Sequence, residues 1–391
     1  MNILFYRYGS ICEPDLIEAF REYGLNVVED RTEITNKQFL PAERVKTVGS
    51  EIERVHPLFV FTINFFPDIS DVCNICRVPY MCLIVDSPVL ELYSDSIKHP
   101  YNRIFLFDMA QYNEFHQYNP DCIFHIPLAT NVKRWDKVIN AAPSDRFASD
   151  VSFVGSLYTE KCPFDKLNFS DDYVKGYVNG IIEAQLGIYG YYFVDRLLTD
   201  KIVSDILNDN PGMYTFPPGC REDYRQVISQ LYIGSKISAE DRVRTFKRLA
   251  PKFNIDIYTG SDTSQIPGIH NRGLVKTLTE MPVVFNHSRI NLNITSRPIR
   301  EGLPLRIFDV LGCGGFLITN YQSELTDYFN PGEHLVAYQS ADELEYLIDY
   351  YLSHEEERRE IAHNGYVCVR DSHNYTVRVG QMIQTAFGNV Q

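Results

Sequence analysis

A chain of 391 residues, 45% of them hydrophobic and 23% charged, is long enough for two or three domains with sizeable buried cores and has the composition of an ordinary globular protein. Its net charge of −14 argues against a general nucleic-acid or anionic-membrane surface. Nine cysteines over this length do not outline a disulfide framework. The opening residues, MNILFYRYGSICEPD, meet charge too early for a signal peptide, and no apolar run reaches the roughly 18 residues of a membrane span. The reading is a cytoplasmic protein without stable membrane insertion.

Taken in order, Ile3 to Tyr6 reads as a strand. Pro14 to Tyr23 reads as a helix with Leu16 and Phe20 on one face, stopped by Gly24. Continuous apolar runs at Leu58 to Ile63, Tyr80 to Val85, Ile104 to Phe107 and Ile123 to Ile126 predict a parallel sheet covered on both faces. This half is a Rossmann-like α/β domain, and without a Gly-x-Gly-x-x-Gly turn after its first strand it is not an NAD domain. Asp86 follows a buried strand directly, where ligands of open α/β sheets bind; Asp-Ser-Pro is equally a turn-forming sequence, so both roles stay open. His99 and His125 read as structural or surface residues. Cys73-Asn-Ile-Cys76 lacks a second ligand pair at a zinc spacing, so no metal is expected.

A polar stretch up to Ser149 marks a boundary, and Val151 to Val154 begins a second α/β unit that turns at Gly155-Ser156. Residues 171–250 look helical and interrupt the βαβ rhythm, which resumes at Ile255 to Tyr258 and Gly260-Ser261. The organising stretch is NHSRINLNITSRPIREGLPLRIFDVLGCGGFLITNY, residues 286–321. A strand (Ile290 to Ile294) ends in polar residues, a helix is predicted from Pro304, and a Gly-rich bend leads into a strand at Phe316 to Thr319. The free N–H groups of that helix form an anion site beside Glu301 and Gly302, with Arg297, Arg300 and Arg306 close in sequence as phosphate-binding guanidiniums. Glu301 and Asp309 are placed about two turns apart, at two ends of one elongated ligand. A capping box at Ser340 to Glu343 starts an amphipathic helix, and Tyr375 to Phe387 is a final helix.

EGLPLRIFDVLGCGGFLIT resembles the Glu-x7-Glu signature of GT-B glycosyltransferases, with Asp309 in place of the second Glu. RIFDVLGCGGFLITNY, DSPVLELYS and IFLFDMAQYNEFHQYNPDCIFHIPLATN are similar to the CgeB-like (spore maturation protein) branch. The resemblance implies an α/β GT-B fold of two Rossmann-like domains facing across a cleft: residues 1–133 on the acceptor side and 134–374 for the nucleotide-sugar, with a helical insertion at about 166–250. It implies that helix 375–391 crosses back to the first domain. It further implies Glu301 at the donor sugar and diphosphate, Asp309 at the ribose, and Gly155, Ser156 and Lys161 at the donor phosphates. Gly302 and Leu303 would lie in the donor loop, Val275 near the base, and Asp86 in a catalytic or acceptor-orienting place. The chain contains no Asp-x-Asp, so the implied reaction is metal-independent transfer from a nucleotide-sugar, with a UDP-sugar as the expected donor and a protein or glycan as acceptor. The spacing is that of retaining enzymes. A sugar-nucleotide epimerase on the same fold, and a non-catalytic sugar-nucleotide or glycan-binding protein of spore or surface assembly, are the alternatives.

Overall fold

Apolar runs too short for helices become the strands of two parallel sheets in the computed structural model, which describes residues 1–36, 39–160 and 162–388. The chain divides into two units: Met1–Thr130 with Phe216–Glu222 and Ser372–Gln391, and Asn131–Thr215 with Asp223–Asp371.

The first unit contains β1 (Asn2–Tyr6), β2 (Asn26–Asp30), β3 (Val60–Ile63), β4 (Tyr80–Leu83), β5 (Asn102–Leu106) and β6 (Ile123–His125). They pair in the order β2-β1-β3-β4-β5-β6. The chain leaves β1 for β2 on one side and then returns to β3 on the other, so the topological switch lies between β1 and β3. Every residue of β3 and β4 is buried, the pattern of a sheet covered on both faces. The helix Glu13–Glu22 sets Phe20 against Phe5 and Phe61, with ring centroids 6.3 and 4.9 Å away. Gly24 follows its end at φ 84°, a conformation that costs a glycine little. The helix Tyr375–Phe387 belongs to this unit: Phe387 stacks on Phe59 at 5.6 Å, and Arg103 Nε donates to the carbonyl of Ala386 at 3.1 Å.

Residues 216–222 also join the first unit, although the sequence reading places them inside the insertion of the second. Cys220 bridges to Ser94, Asp95 N–H donates to Gly219 at 2.7 Å, and the Arg221 guanidinium lies 4.1 Å from the Tyr118 ring. Cation–aromatic and backbone contacts made far along the chain have no local periodicity to announce them.

The second unit holds β7 (Ser149–Val154), β8 (Ile255–Tyr258), β9 (His270–Asn271), β10 (Ser288–Asn293), β11 (Leu317–Asn320) and β12 (Val336–Tyr338). Their order is β12-β11-β10-β7-β8-β9, which puts the switch between β7 and β10. Val151, Phe153, Ile257, Ile290, Leu292 and Ile318 form the core around the sheet. Among the intervening helices, Asp172–Leu186 and Gly234–Leu249 are the longest, and Phe246 packs edge-on against Phe153 at 5.1 Å. Ser340 accepts from Glu343 N–H at 3.1 Å, starting the helix Ala341–Ser353; the Glu343 carboxylate reaches back to Gln339 N–H, one residue before the position a capping box would use. Among the described residues, no helix is long and apolar enough to cross a membrane.

Candidate active site

Parallel α/β sheets offer their ligand crevice at the carboxyl ends of the strands that flank the switch. In the second unit these are the turn after β7, Gly155-Ser156, and the loop after β10, residues 294–304. The neighbouring turn after β8 is tied in by Ser261, whose hydroxyl accepts from Leu157 N–H at 2.8 Å. After β9, Gly273 takes φ 76° and Val275 is half-buried. Lys161 lies outside the described residues.

One guanidinium occupies the switch itself. Arg242, from the helix Gly234–Leu249, donates to the carbonyl of Ser156 after β7 and, at 2.6 Å, to the carbonyl of Ile294 after β10. It lies 4.3 Å from the Tyr158 ring centroid and 3.7 Å from where a Cβ on Gly155 would stand. Arg242 is only 7% exposed, its Nε has no hydrogen-bond partner, and among the described residues no carboxylate pairs with it. A buried cation held by two carbonyls and aromatic faces retains a positive field that an anionic ligand would neutralise. The sequence reading assigned no role to Arg242, since a lone Arg on a helix 52 residues before Ile294 gives no sign of pointing there.

Arg297, in contrast, is not open to a phosphate. Its Nη2 and Nε bind Asp241 at 2.7 and 3.0 Å, its Nη1 donates to Ile188 at 2.8 Å, and its plane covers Tyr189 at 4.2 Å. Buried as an ion pair, it fastens the loop after β10 to the helical insertion. The expectation of a phosphate contact from Arg297 is therefore corrected: proximity in sequence put it near the site, and Asp241 turned it into scaffold.

The same loop is braced from β11. Asn320 Oδ1 accepts from Thr295 N–H at 2.7 Å, and Gln322 Nε2 donates to Ile299 and Gly302 carbonyls at 3.1 and 3.2 Å. Asn320 closes a fully buried strand and Gln322 lies two residues beyond it, a polar signal that sequence reading could have used. Gly302 and Leu303 are buried, while Glu301 and Arg300 are half-buried. The helix runs Leu305–Gly312, with Pro304 in an extended conformation (ψ 153°) as its cap, so the predicted start is one residue early. Asp309 is buried inside this helix, with Arg306 Nη1 3.9 Å from its carboxylate. Arg306 also lies 2.7 Å from Met281 Sδ and 5.0 Å from the Phe285 ring. Burial lowers the Arg306 pKa, and Asp309 acts against that shift. The two side chains are thus a coupled pair on one helix face.

The first unit has its own polar cluster at its switch. Asp86, exposed after β4, accepts from Asn64 Nδ2 at 2.7 Å; Asn64 also donates to the Tyr8 hydroxyl at 3.3 Å. Glu13 shapes the turn after β1, accepting backbone N–H groups of Tyr8, Gly9 and Ser10 at 2.9, 2.8 and 3.0 Å. Burial, opposed by a hydrogen bond with Ser10 and assisted by the charge of Asp86, pushes the Tyr8 phenol up to about 12, so it stays protonated as a donor near neutrality. His99 binds Asp71 at 2.8 Å, and Cys73 and Cys76 are free thiols, the first buried and the second exposed.

With this geometry in place, comparison with known proteins becomes informative. Residues 240–384 match a family model described as "Glycosyl transferase-like". No curated protein matches the chain. Among solved structures, a sucrose-phosphate synthase from Thermosynechococcus elongatus superposes with a TM-score of 0.58 at 11% identity over 99% of both chains. Anabaena HepE, solved in complex with UDP-glucose, gives 0.52 at 11% identity over 98% of this chain and 99% of that one. A UDP-forming α,α-trehalose-phosphate synthase from Burkholderia xenovorans gives 0.52 at 13% identity over 100% and 99%. The chain has the GT-B fold of glycosyltransferases, and its glycosyl transferase-like segment carries Arg242, the loop after β10 and Asp309.

Proposed function

We propose that the protein transfers a sugar from a UDP-sugar to a protein or glycan acceptor without a metal ion and with retention of configuration. The observation that carries this reading is Arg242: a buried, uncompensated cation at the switch of the second sheet, near enough to Arg306 in the first turn of the Leu305–Gly312 helix for the two charges to act on each other. A departing diphosphate brings the missing negative charge. Preorganised guanidinium and helix N–H groups stabilise it without reorganising at the moment of bond cleavage, each contact contributing about 2–4 kcal/mol in a dry site. Arg242 thereby supplies positive charge beside the turn that carries Ser156.

Glu301 contacts the donor sugar, Asp309 the ribose hydroxyls, and Arg300 adds positive charge at the mouth of the loop. Val275 lies near the base. In the first unit, Asp86 orients the acceptor, itself held by Asn64. The UDP preference draws its support from the UDP-glucose bound in HepE and the UDP-forming trehalose-phosphate synthase.

The test is release of UDP from a panel of UDP-sugars in EDTA, with and without a cell-wall or glycan acceptor fraction. Acceptor-dependent UDP release, reduced about 100-fold in Arg242→Gln, supports the proposal. Conversion of the sugar without UDP release would instead identify an epimerase, and no turnover of any donor would leave a binding protein.

A further inference from the structure

The amino edge of the second sheet, the end opposite the candidate active site, carries a second feature. A cavity of about 700 Å³ opens there beside the first residues of β10 and the residue preceding β11. Three arginines face it, Arg289, Arg358 and Arg359, together with His287 and His363. Arg289 is matched by Asp150 at 3.1 Å and Arg359 by Glu355, an ion pair one helical turn away. Arg358 has no such match. It is 7% exposed, its Nη1 donates to the Arg289 carbonyl at 2.7 Å, its Nε is buried without a partner, and among the described residues no carboxylate pairs with it. Asp136, the other acid on the cavity wall, accepts the Tyr366 hydroxyl at 2.9 Å.

Burial and the like charges of Arg289 and Arg359 weigh against the Arg358 cation, and the Glu355 carboxylate on the same wall acts in its favour without pairing with it. A guanidinium remains charged nonetheless, so its field is directed at whatever fills the space. We propose that this cavity binds a small phosphate-bearing molecule, with Arg358 as the central contact. A planar guanidinium pairs with phosphate oxygens in bidentate fashion, and the exposed Asn140 at the rim offers hydrogen bonds to hydroxyl groups of the same ligand. β10 is six residues long, which separates this site from the switch by roughly 20 Å. One phosphate therefore cannot serve both. Cys313 and Gly314 line the cavity immediately after the Leu305–Gly312 helix, whose other end meets the donor loop, so an occupant touches the element that carries Asp309. This fits an effector rather than a second substrate.

Calorimetric titration with inorganic phosphate and with glucose 6-phosphate tests the site independently of any transfer activity. Saturable binding is expected in the wild type, weakened about tenfold or more in Arg358→Gln. Asn140→Asp puts a repelling carboxylate at an exposed position, which keeps the melting temperature intact and weakens binding about threefold or more. Arg242→Gln should bind within about twofold of wild type, because Arg242 lies at the opposite end of the sheet. The proposal is overturned if neither probe binds at about 10 mM, if Asn140→Asp binds like wild type, or if Arg242→Gln abolishes the binding and so locates it at the donor site.

Discussion

Asp241 and Arg242 are neighbours on one helix, and each answers a different problem. Asp241 neutralises Arg297 and fixes a loop; Arg242 stays uncompensated beneath the switch. Breaking the first pair by Arg297→Ala leaves the buried Asp241 carboxylate without its cation, held by the Tyr189 hydroxyl at 3.0 Å, and we expect a loss of about 3 kcal/mol in urea unfolding, with nucleotide affinity of the folded protein largely kept. Sequence proximity made Arg297, Arg300 and Arg306 the visible candidates. It could not reveal Arg242, because nothing local distinguishes a helix Arg that snorkels outward from one that reaches under two strands.

A pH effect belongs to the residue scale as well. Burial of Glu29 works against its ionised form, yet hydrogen bonds from Arg31, Arg7 and Arg21 hold its pKa down from 4.5 to about 2. A folded pKa below the unfolded one stabilises the protein above the unfolded value, and that stability is lost as pH falls from about 4.5 toward 2. The contribution is on the order of 2 kcal/mol, reduced from the full shift because Arg21 and Arg31 are largely exposed. Urea midpoints measured between these pH values should show a shallower acid decline in Glu29→Gln than in wild type.

At the scale of elements, the buried parallel strands and the two amphipathic helices at the end of the chain were readable to within a few residues. Ile255 to Tyr258 and Tyr375 to Phe387 coincide with the observed bounds. Two of the elements that escaped are ones that periodicity cannot mark. β2 has only two apolar residues among Asn26–Asp30, and β9 is two exposed residues. Packing between elements sets a further prediction. A Cβ on Gly365 would stand 2.3 Å from the His334 carbonyl and 2.9 Å from Leu311 Cδ2, so helix Glu355–Ser372 approaches its neighbours only through a glycine. Gly365→Ala should cost about 2–3 kcal/mol and lower Tm by about 5 °C or more, as read by thermal unfolding.

Across the whole molecule, two sheets of different strand order each place polar side chains at their own switch: Tyr8, Asn64 and Asp86 in the first unit, Arg242 and the loop after β10 in the second. The stretch 286–321 stands out in the sequence as a candidate site because its strand, arginines and acids crowd into a short span. The braces that hold it, Asn320, Gln322 and Ser238, act through tertiary contacts. Within the proposed mechanism Glu301 acts on the sugar rather than on the nucleotide. Glu301→Gln should therefore lower kcat about 100-fold while UDP affinity changes less than about threefold, a split that steady-state kinetics and binding together resolve.

The central claim is that the second unit binds a nucleotide diphosphate through protein charge alone, and titration calorimetry with UDP in EDTA tests it most directly. The account predicts saturable binding that magnesium does not strengthen, weakened about tenfold or more in both Asp309→Ala and Arg242→Gln. Absence of binding by the wild type, or binding by both variants as tight as that of the wild type, would contradict it.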